Sequence, residues 1–325
     1  MKILQVTGGA NFELLDVPVP EPGPGQVLVR VLAVTTCPQW DLHLRHNEPM
    51  FVGHHFDLPY TPGQPGHEAT GAIEAVGEGA EGVAVGDRVS VWRDQGHDRW
   101  GCYAQYAVID AENVIRVPPD LPFEATAPVE LAMCVGATFL LLKSLGLLGA
   151  RRFGVTGLGP AGLVAAQMAR AEGATEVIGF DISPRRRAYA LQNGFDAVYD
   201  PRDDLSAVVP FRHSGRNLDC AVDCVGAKSS VEFLMDRTVG AVALFGVQRE
   251  PYTFAPHHYG NLILVGYPGH SRAAAEYAVN LIRRGNLDLT PLVTDRMPLE
   301  RYAEGVDRLE SQEAIKVCFF PWETA

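Results

Sequence analysis

Gly66-His67-Glu68 sets an imidazole beside a carboxylate on a glycine-bounded stretch, and Cys37 offers a thiol thirty residues upstream. Nitrogen, sulfur and carboxylate oxygen are the donors of catalytic zinc sites, in which three protein ligands leave a fourth position open. Far downstream, Gly157-Leu158-Gly159-Pro160-Ala161-Gly162 is a glycine loop of the kind that receives a dinucleotide's pyrophosphate. A metal that polarises oxygen and a cofactor that accepts hydride are the two parts needed to oxidise an alcohol. A lone His or Cys is more often structural than a ligand, and a glycine triplet alone is an ordinary turn. Their combination carries the argument.

The glycine loop has the context it requires. Strand-like Gly154-Val155-Thr156 precedes it and a helix-like stretch over 163–172 follows. Gly157 permits the tight turn, Gly159 lets the pyrophosphate approach the backbone, and Gly162 lets helix and strand pack closely. Pro160 and Ala161 then open a helix whose free N–H groups and dipole favour phosphate. Asp181 ends the next strand, 19 residues after Gly162, where a carboxylate accepts the ribose hydroxyls. That carboxylate would repel a 2′-phosphate, so NAD is expected over NADP. Arg185, Arg186 and Arg187 are the counter-signal, since arginines there either accommodate a 2′-phosphate or lie over the adenine.

The elements that position these residues change character along the chain. Residues 1–120 read as β-rich, with short strands at 26–34, 71–77 and 88–92 and frequent turn signals, which predicts a small barrel or sandwich. From 131 to 270, helical stretches alternate with apolar runs at 153–156, 177–181, 197–199, 220–225, 242–245 and 262–265. Strands that are apolar throughout and separated by helices imply a doubly wound parallel sheet. A helix over 273–284, an amphipathic stretch at 300–309 and a last strand at Lys316–Phe320 fill residues 271–325. The very apolar 131–148 is interrupted by Lys143 and Ser144, so a buried helix is expected rather than a membrane span.

Composition excludes several classes. The 325 residues carry a net charge of -12, which disfavours nucleic acid and anionic membrane. Six scattered cysteines do not make a disulfide framework, and the N-terminus lacks a signal-like apolar run, so a cytoplasmic setting is expected. Cys220 and Cys224 read as core packing, and His54, His55, His97, His257, His258 and His270 as loop and surface residues.

The stretch Gly66-His67-Glu68-Ala69-Thr70-Gly71, with Gly77 and Val85-Gly86-Asp87-Arg88-Val89, resembles the signature of zinc-containing medium-chain alcohol dehydrogenases. The likeness extends to Pro20-Glu21-Pro22-Gly23-Pro24-Gly25-Gln26, to 101–108, to the cofactor loop and to Asp223-Cys224-Val225-Gly226, nearly the whole chain in order. It implies an α/β chain with a GroES-like β-rich catalytic domain (1–130), a Rossmann NAD-binding domain (131–270) and a return to the catalytic domain (271–325). Cys37 and His67 would then be zinc ligands, and Glu68 a ligand or an exchangeable partner. Asp41 would orient His67, His43 would be an outer proton relay, and Val225 would lie at the cofactor. The third fixed ligand stays open between Glu130 and Cys134, one helical turn apart, with Cys134 needing the smaller gap in spacing.

Two departures stand out. Residues 90–101 contain no cysteine, so the four-cysteine lobe of a structural zinc is absent and one catalytic zinc is expected. In Cys37-Pro38-Gln39-Trp40-Asp41, Gln39 stands where relatives place a hydroxyl, leaving proton release to zinc-bound water, Glu68, Thr35 or Thr36. The expectation is NAD- and zinc-dependent interconversion of an alcohol with its aldehyde or ketone by a homodimer or homotetramer. The alternatives are a zinc-free quinone or enone reductase and a non-catalytic dinucleotide-binding protein.

Overall fold

Apolar runs bounded by turn residues become strands in both halves of the chain, and each half pairs them differently. The computed structural model describes every residue except Val52, Ala150, His213 and Ala325. It comprises two units, Met1–Leu131 with Leu289–Ala325, and Ala132–Asp288.

The first unit opens with a hairpin of β1 (Lys2–Gly8) and β2 (Asn11–Asp16). It continues through β3 (Gln26–Thr35), α1 (Pro38–His46), β4 (Glu68–Val76), β5 (Arg88–Val91), β6 (Tyr106–Asp110) and β7 (Val114–Arg116). Helix α2 (Val129–Ser144) leads out of it.

The second unit alternates strand and helix: β8 (Arg152–Thr156), α3 (Pro160–Ala171), β9 (Glu176–Phe180), α4 (Pro184–Gln192) and β10 (Ala197–Tyr199). Then follow β11 (Leu218–Asp223), α5 (Lys228–Arg237), β12 (Thr238–Leu244), β13 (Ile263–Gly266) and α6 (Arg272–Arg283). The chain re-enters the first unit with β14 (Val293–Pro298), α7 (Tyr302–Glu310) and β15 (Lys316–Phe320).

In the first unit the seven-stranded order is β14-β15-β3-β4-β5-β7, with β6 paired to β3. Strand β3 is its centre. Thr35 faces Glu68 on β4 and Cys318 on β15, so three segments remote in sequence meet at the end of β3. Val27, Val29, Val31, Ile73, Val317 and Phe319 are among the side chains buried beneath it.

The second unit is a parallel sheet in the order β10-β9-β8-β11-β12-β13. All six apolar runs read from the sequence lie in it. Succession runs outward in opposite directions from β8 and β11, and the crevice at such a reversal is where open α/β sheets bind ligands. Gly157 follows β8 and Val225 follows β11.

The second boundary differs from expectation. The second unit extends to Asp288 rather than residue 270. Helix α6 belongs to it because Ala274, Ala275, Ala278 and Val279 form a buried face. Tyr277 Oη also donates to Glu172 within that unit. The segment Phe123–Ser144 is apolar enough to cross a membrane, yet 78% of its window is buried inside the protein, as a core helix would be.

Candidate active site

Cys37 caps the N-terminus of α1, where Pro38 supplies the preset first helical residue. His67 precedes β4 immediately. Gly66 is required there, because a Cβ would lie 2.5 Å from the Tyr103 nitrogen. His67 Nδ1 lies 2.8 Å from the Pro65 carbonyl oxygen, and since a carbonyl can only accept, Nδ1 carries the proton. Nε2 is the nitrogen left to face the ligand-type groups, and Glu130 Oε2 stands 3.9 Å from it. Glu130 reaches this point from the first turn of α2.

The electrostatics ask for a cation. Burial pulls the His67 imidazole down, but a hydrogen bond to Cys37 and the negative charges of Cys37, Glu130 and Glu68 raise it well above the ordinary value. Ligand atoms of Cys37, His67 and Glu68 lie within 4.8 Å of one another. Zinc ligands at about 2.0–2.3 Å from the metal sit about 3.5 Å apart, so this sulfur, nitrogen and carboxylate set suits zinc.

Glu68 has a second commitment. Lys316 Nζ donates to its Oε1 at 2.5 Å and Oε2 at 2.6 Å, and Thr35 Oγ1 donates to Oε2 at 3.0 Å. Burial pushes the Glu68 carboxyl up while Lys316 pulls it down.

Asp41 does not orient His67 as expected, because the Nδ1 proton already goes to Pro65. Its carboxylate instead accepts from the Cys37 backbone N–H at 2.8 Å and from the hydroxyls of Tyr103 and Tyr302. Burial raises it to about 6 against those hydrogen bonds. Asp41 therefore fixes Cys37 rather than the imidazole. Of the suggested relay groups, Thr35 is bound to Glu68, and Thr36 Oγ1 accepts from Val317 N–H. Gln39 is exposed, and His43 Nδ1 lies 3.1 Å from the Glu48 carbonyl oxygen.

In the second unit the glycine loop has the sterics of a close turn. Gly157 has φ +80°, and a Cβ on Gly162 would lie 2.1 Å from the Gly157 carbonyl oxygen. Gly159 caps α3, with Pro160 and Ala161 opening the helix; around it, the nearest atom to an added Cβ is Arg186 Nη1 at 3.9 Å. Asp181 Oδ2 accepts from Leu158 N–H and Oδ1 from Ser183 N–H, both at 2.8 Å, which aims the carboxylate at the loop. Arg187 is spent on the Asp181 carbonyl and Asp200, whereas Arg186 Nη1 stands 4.0 Å from Asp181 Oδ2. Val225 packs against the turn, its Cγ2 being 2.8 Å from a Cβ built on Gly157.

Residues 23–119 match the alcohol dehydrogenase GroES-like domain and residues 160–284 the zinc-binding dehydrogenase domain. The L-threonine 3-dehydrogenase of Pyrococcus horikoshii is 30% identical over 98% of this chain and 97% of its own length. The chain belongs to the zinc-containing medium-chain dehydrogenases. Among solved structures, 2R,3R-butanediol dehydrogenase from Bacillus subtilis superposes with TM-score 0.84 at 22% identity, covering 98% of this chain and 99% of that one. An NAD-dependent alcohol dehydrogenase does so with TM-score 0.80 at 27% identity, covering 98% and 99%. This dehydrogenase is accordingly an oxidoreductase that moves hydride between an alcohol, or its carbonyl, and a nicotinamide dinucleotide.

Several residues of the dehydrogenase escaped sequence reasoning. Lys316, Tyr103 and Tyr302 act on the site from positions with no local motif, and only β15 pairing with β3 brings Lys316 there. His97 is no surface residue: its ring stacks on Trp40 at 3.9 Å and its Nδ1 lies 2.7 Å from Tyr60 Oη. His257 and His258 both meet Asp236 Oδ1, at 2.7 and 2.8 Å, in a group that resembles a metal site by composition. His258 is buried, and its Nδ1 accepts from the Ala255 N–H, so its Nε2 carries the proton and donates to Asp236. A protonated nitrogen has no lone pair for a metal.

Proposed function

We propose that one zinc is held by Cys37, His67 and Glu130, with Glu68 in reserve, and that the dehydrogenase uses NAD to interconvert a small alcohol with its aldehyde or ketone. The observation that carries the ligand set is the Glu130 carboxylate 3.9 Å from Nε2 of His67. The same helix turn offers Cys134, whose ligand atom lies within 4.8 Å of those of Glu130 and His270. When bound, zinc supplies Lewis acidity at the alcohol oxygen and the nicotinamide accepts hydride.

The protein's own residues prepare that step. Pro65 fixes the His67 tautomer, Asp41 fixes the Cys37 backbone, and the acidic surplus around His67 offsets a divalent charge. With both threonine hydroxyls engaged and Gln39 exposed, the proton leaves without a hydroxyl on α1. Gly157, Gly159 and Gly162 admit the pyrophosphate to the α3 N-terminus. Asp181 keeps lone pairs for the ribose hydroxyls and would repel a 2′-phosphate, which favours NAD; Arg186 is the residue that would accommodate NADP. Trp40, with Phe56 and His54 edge-on at 6.3 and 5.6 Å, supports a substrate that has an apolar portion. Ile263 on the edge strand β13 is exposed, which supports pairing of two copies.

Two measurements test this reading. Purified protein should contain one zinc per chain and reduce NAD with at least one member of a panel spanning aromatic alcohols, diols, polyols and L-threonine. Full turnover after zinc removal would refute it. Asp181→Ser should shift the NAD/NADP preference by about tenfold toward NADP, the size of one lost charge interaction; an unchanged preference would remove Asp181 from the adenosine site.

A further inference from the structure

Residues 94–99 form a loop that the protein pins from both sides. Gln64 Nε2 donates to the carbonyl oxygens of Gly96 at 3.2 Å and Arg99 at 2.9 Å. The Gln95 side chain donates to the Val108 carbonyl oxygen and accepts from the Asp110 N–H, both on β6. Arg99 holds the Asp110 carboxylate with both Nη atoms, and Asp94 Oδ1 accepts from the Gly96 N–H. His97 is the residue this frame delivers. Its ring stacks on Trp40, three residues beyond Cys37 on α1, and its Nδ1 meets the Tyr60 hydroxyl. Its Nε2 is buried, yet it has no hydrogen-bond partner among the described residues. A buried polar atom is rarely left unpaired unless something bound satisfies it. A water there would need two to four polar partners. The rings of Trp40, His54 and Phe56, packed together beside His97, supply few.

The surroundings of the ring say what the missing partner is. Whichever of Nδ1 and the Tyr60 hydroxyl donates, Nε2 is left as either donor or acceptor, and a hydroxyl serves both roles. A carboxylate does not fit. Burial and the positive charge of His67 pull the His97 imidazole down to about 4, so it is neutral near pH 7, and Asp94 and Asp98 both act on it. The same influence of His67 makes the two imidazoles neighbours. We propose that His97 determines specificity by hydrogen-bonding, through Nε2, an uncharged hydroxyl of the substrate other than the one that is oxidised. The dehydrogenase is then selective for neutral diols over monohydric alcohols and over zwitterionic amino alcohols. This deepens the function proposed above and rests on it.

Matched pairs of alcohols test this with the zinc-loaded protein and NAD: butane-2,3-diol against butan-2-ol, and 1-phenylethane-1,2-diol against 1-phenylethanol. The wild-type protein should favour the diol by about 10- to 100-fold in kcat/KM, because the monohydric partner leaves Nε2 unpaired. His97→Phe, or His97→Leu where the bulkier ring does not fold, should bring that ratio close to one, mostly through the KM of the diol. A purely structural role would lower both members of a pair alike and keep the ratio. The proposal is overturned if no diol outpaces its monohydric partner, if L-threonine is turned over better than either diol, or if the His97 variant keeps the wild-type ratio. The first two comparisons need no variant. Absence of NAD reduction with every alcohol offered would instead remove the function proposed above, and this inference with it.

Discussion

Two histidine clusters of nearly the same chemistry lie in the two units, and they have opposite capacities. At His67, Nδ1 donates to a backbone carbonyl and Nε2 faces sulfur and carboxylate, where a cation can take the place of a proton. At His258, Nδ1 accepts from a backbone N–H and Nε2 spends its proton on Asp236. The difference is one backbone group. Composition and proximity identify both as metal-like; the partner of the far ring nitrogen decides which can bind a metal.

The largest expected effect breaks the comparison directly. His67→Gln should abolish stoichiometric zinc and lower kcat/KM by more than about a thousandfold, the several kcal/mol that a Lewis acid supplies. His258→Leu should keep one zinc per chain with near-normal turnover. It should instead lose about 1–3 kcal/mol of stability in a denaturant titration, because the Ala255 N–H and Asp236 lose a buried partner. Equal zinc loss in both variants would refute the tautomer argument.

A comparable but pH-dependent effect belongs to Asp41. Burial raises its carboxyl to about 6, so the folded chain holds this proton more tightly than the unfolded chain does. In zinc-free protein its contribution is complete below about pH 4 and is lost as pH rises through about 6, about 3 kcal/mol in all. Asp41→Asn should flatten that slope in denaturant midpoints measured across pH 4–7, while weakening zinc about 10-fold through the displaced Cys37. A slope that persists in Asp41→Asn would assign it to another group.

The smallest effect sharpens the contrast among the cysteines. Burial pushes the thiols of Cys102 and Cys220 to about 12, whereas Cys37 is partly exposed at a helix N-terminus. Alkylation of chelator-treated protein at pH 8 should mark Cys37 first, read by peptide mass, and zinc should protect it. Labelling of Cys220 at a similar rate would contradict this.

Much of this was legible in the chain because it is local. The six parallel strands announced themselves as apolar runs bounded by turns, and the glycine loop carries its steric requirements within six residues. Cys37, His67 and Glu68 were visible as donor types. Their division of labour was not, because Lys316 pairs with Glu68 across 248 residues through strand register. Glu130 and Cys134 share a helix face, so periodicity could not separate them. Asp41 was assigned to the wrong partner because nothing near it predicts the Pro65 carbonyl or the two tyrosines. The boundary at Asp288 was missed because the buried alanine face of α6 looks the same whichever unit it packs against.

X-ray absorption at the zinc edge of the loaded dehydrogenase tests the central claim most directly. The account predicts one sulfur at about 2.3 Å, from Cys37, with the remaining scatterers nitrogen and oxygen at about 2.0–2.2 Å. Two sulfurs would put Cys134 in place of Glu130, and none would remove Cys37, so either result contradicts the ligand set proposed for this protein.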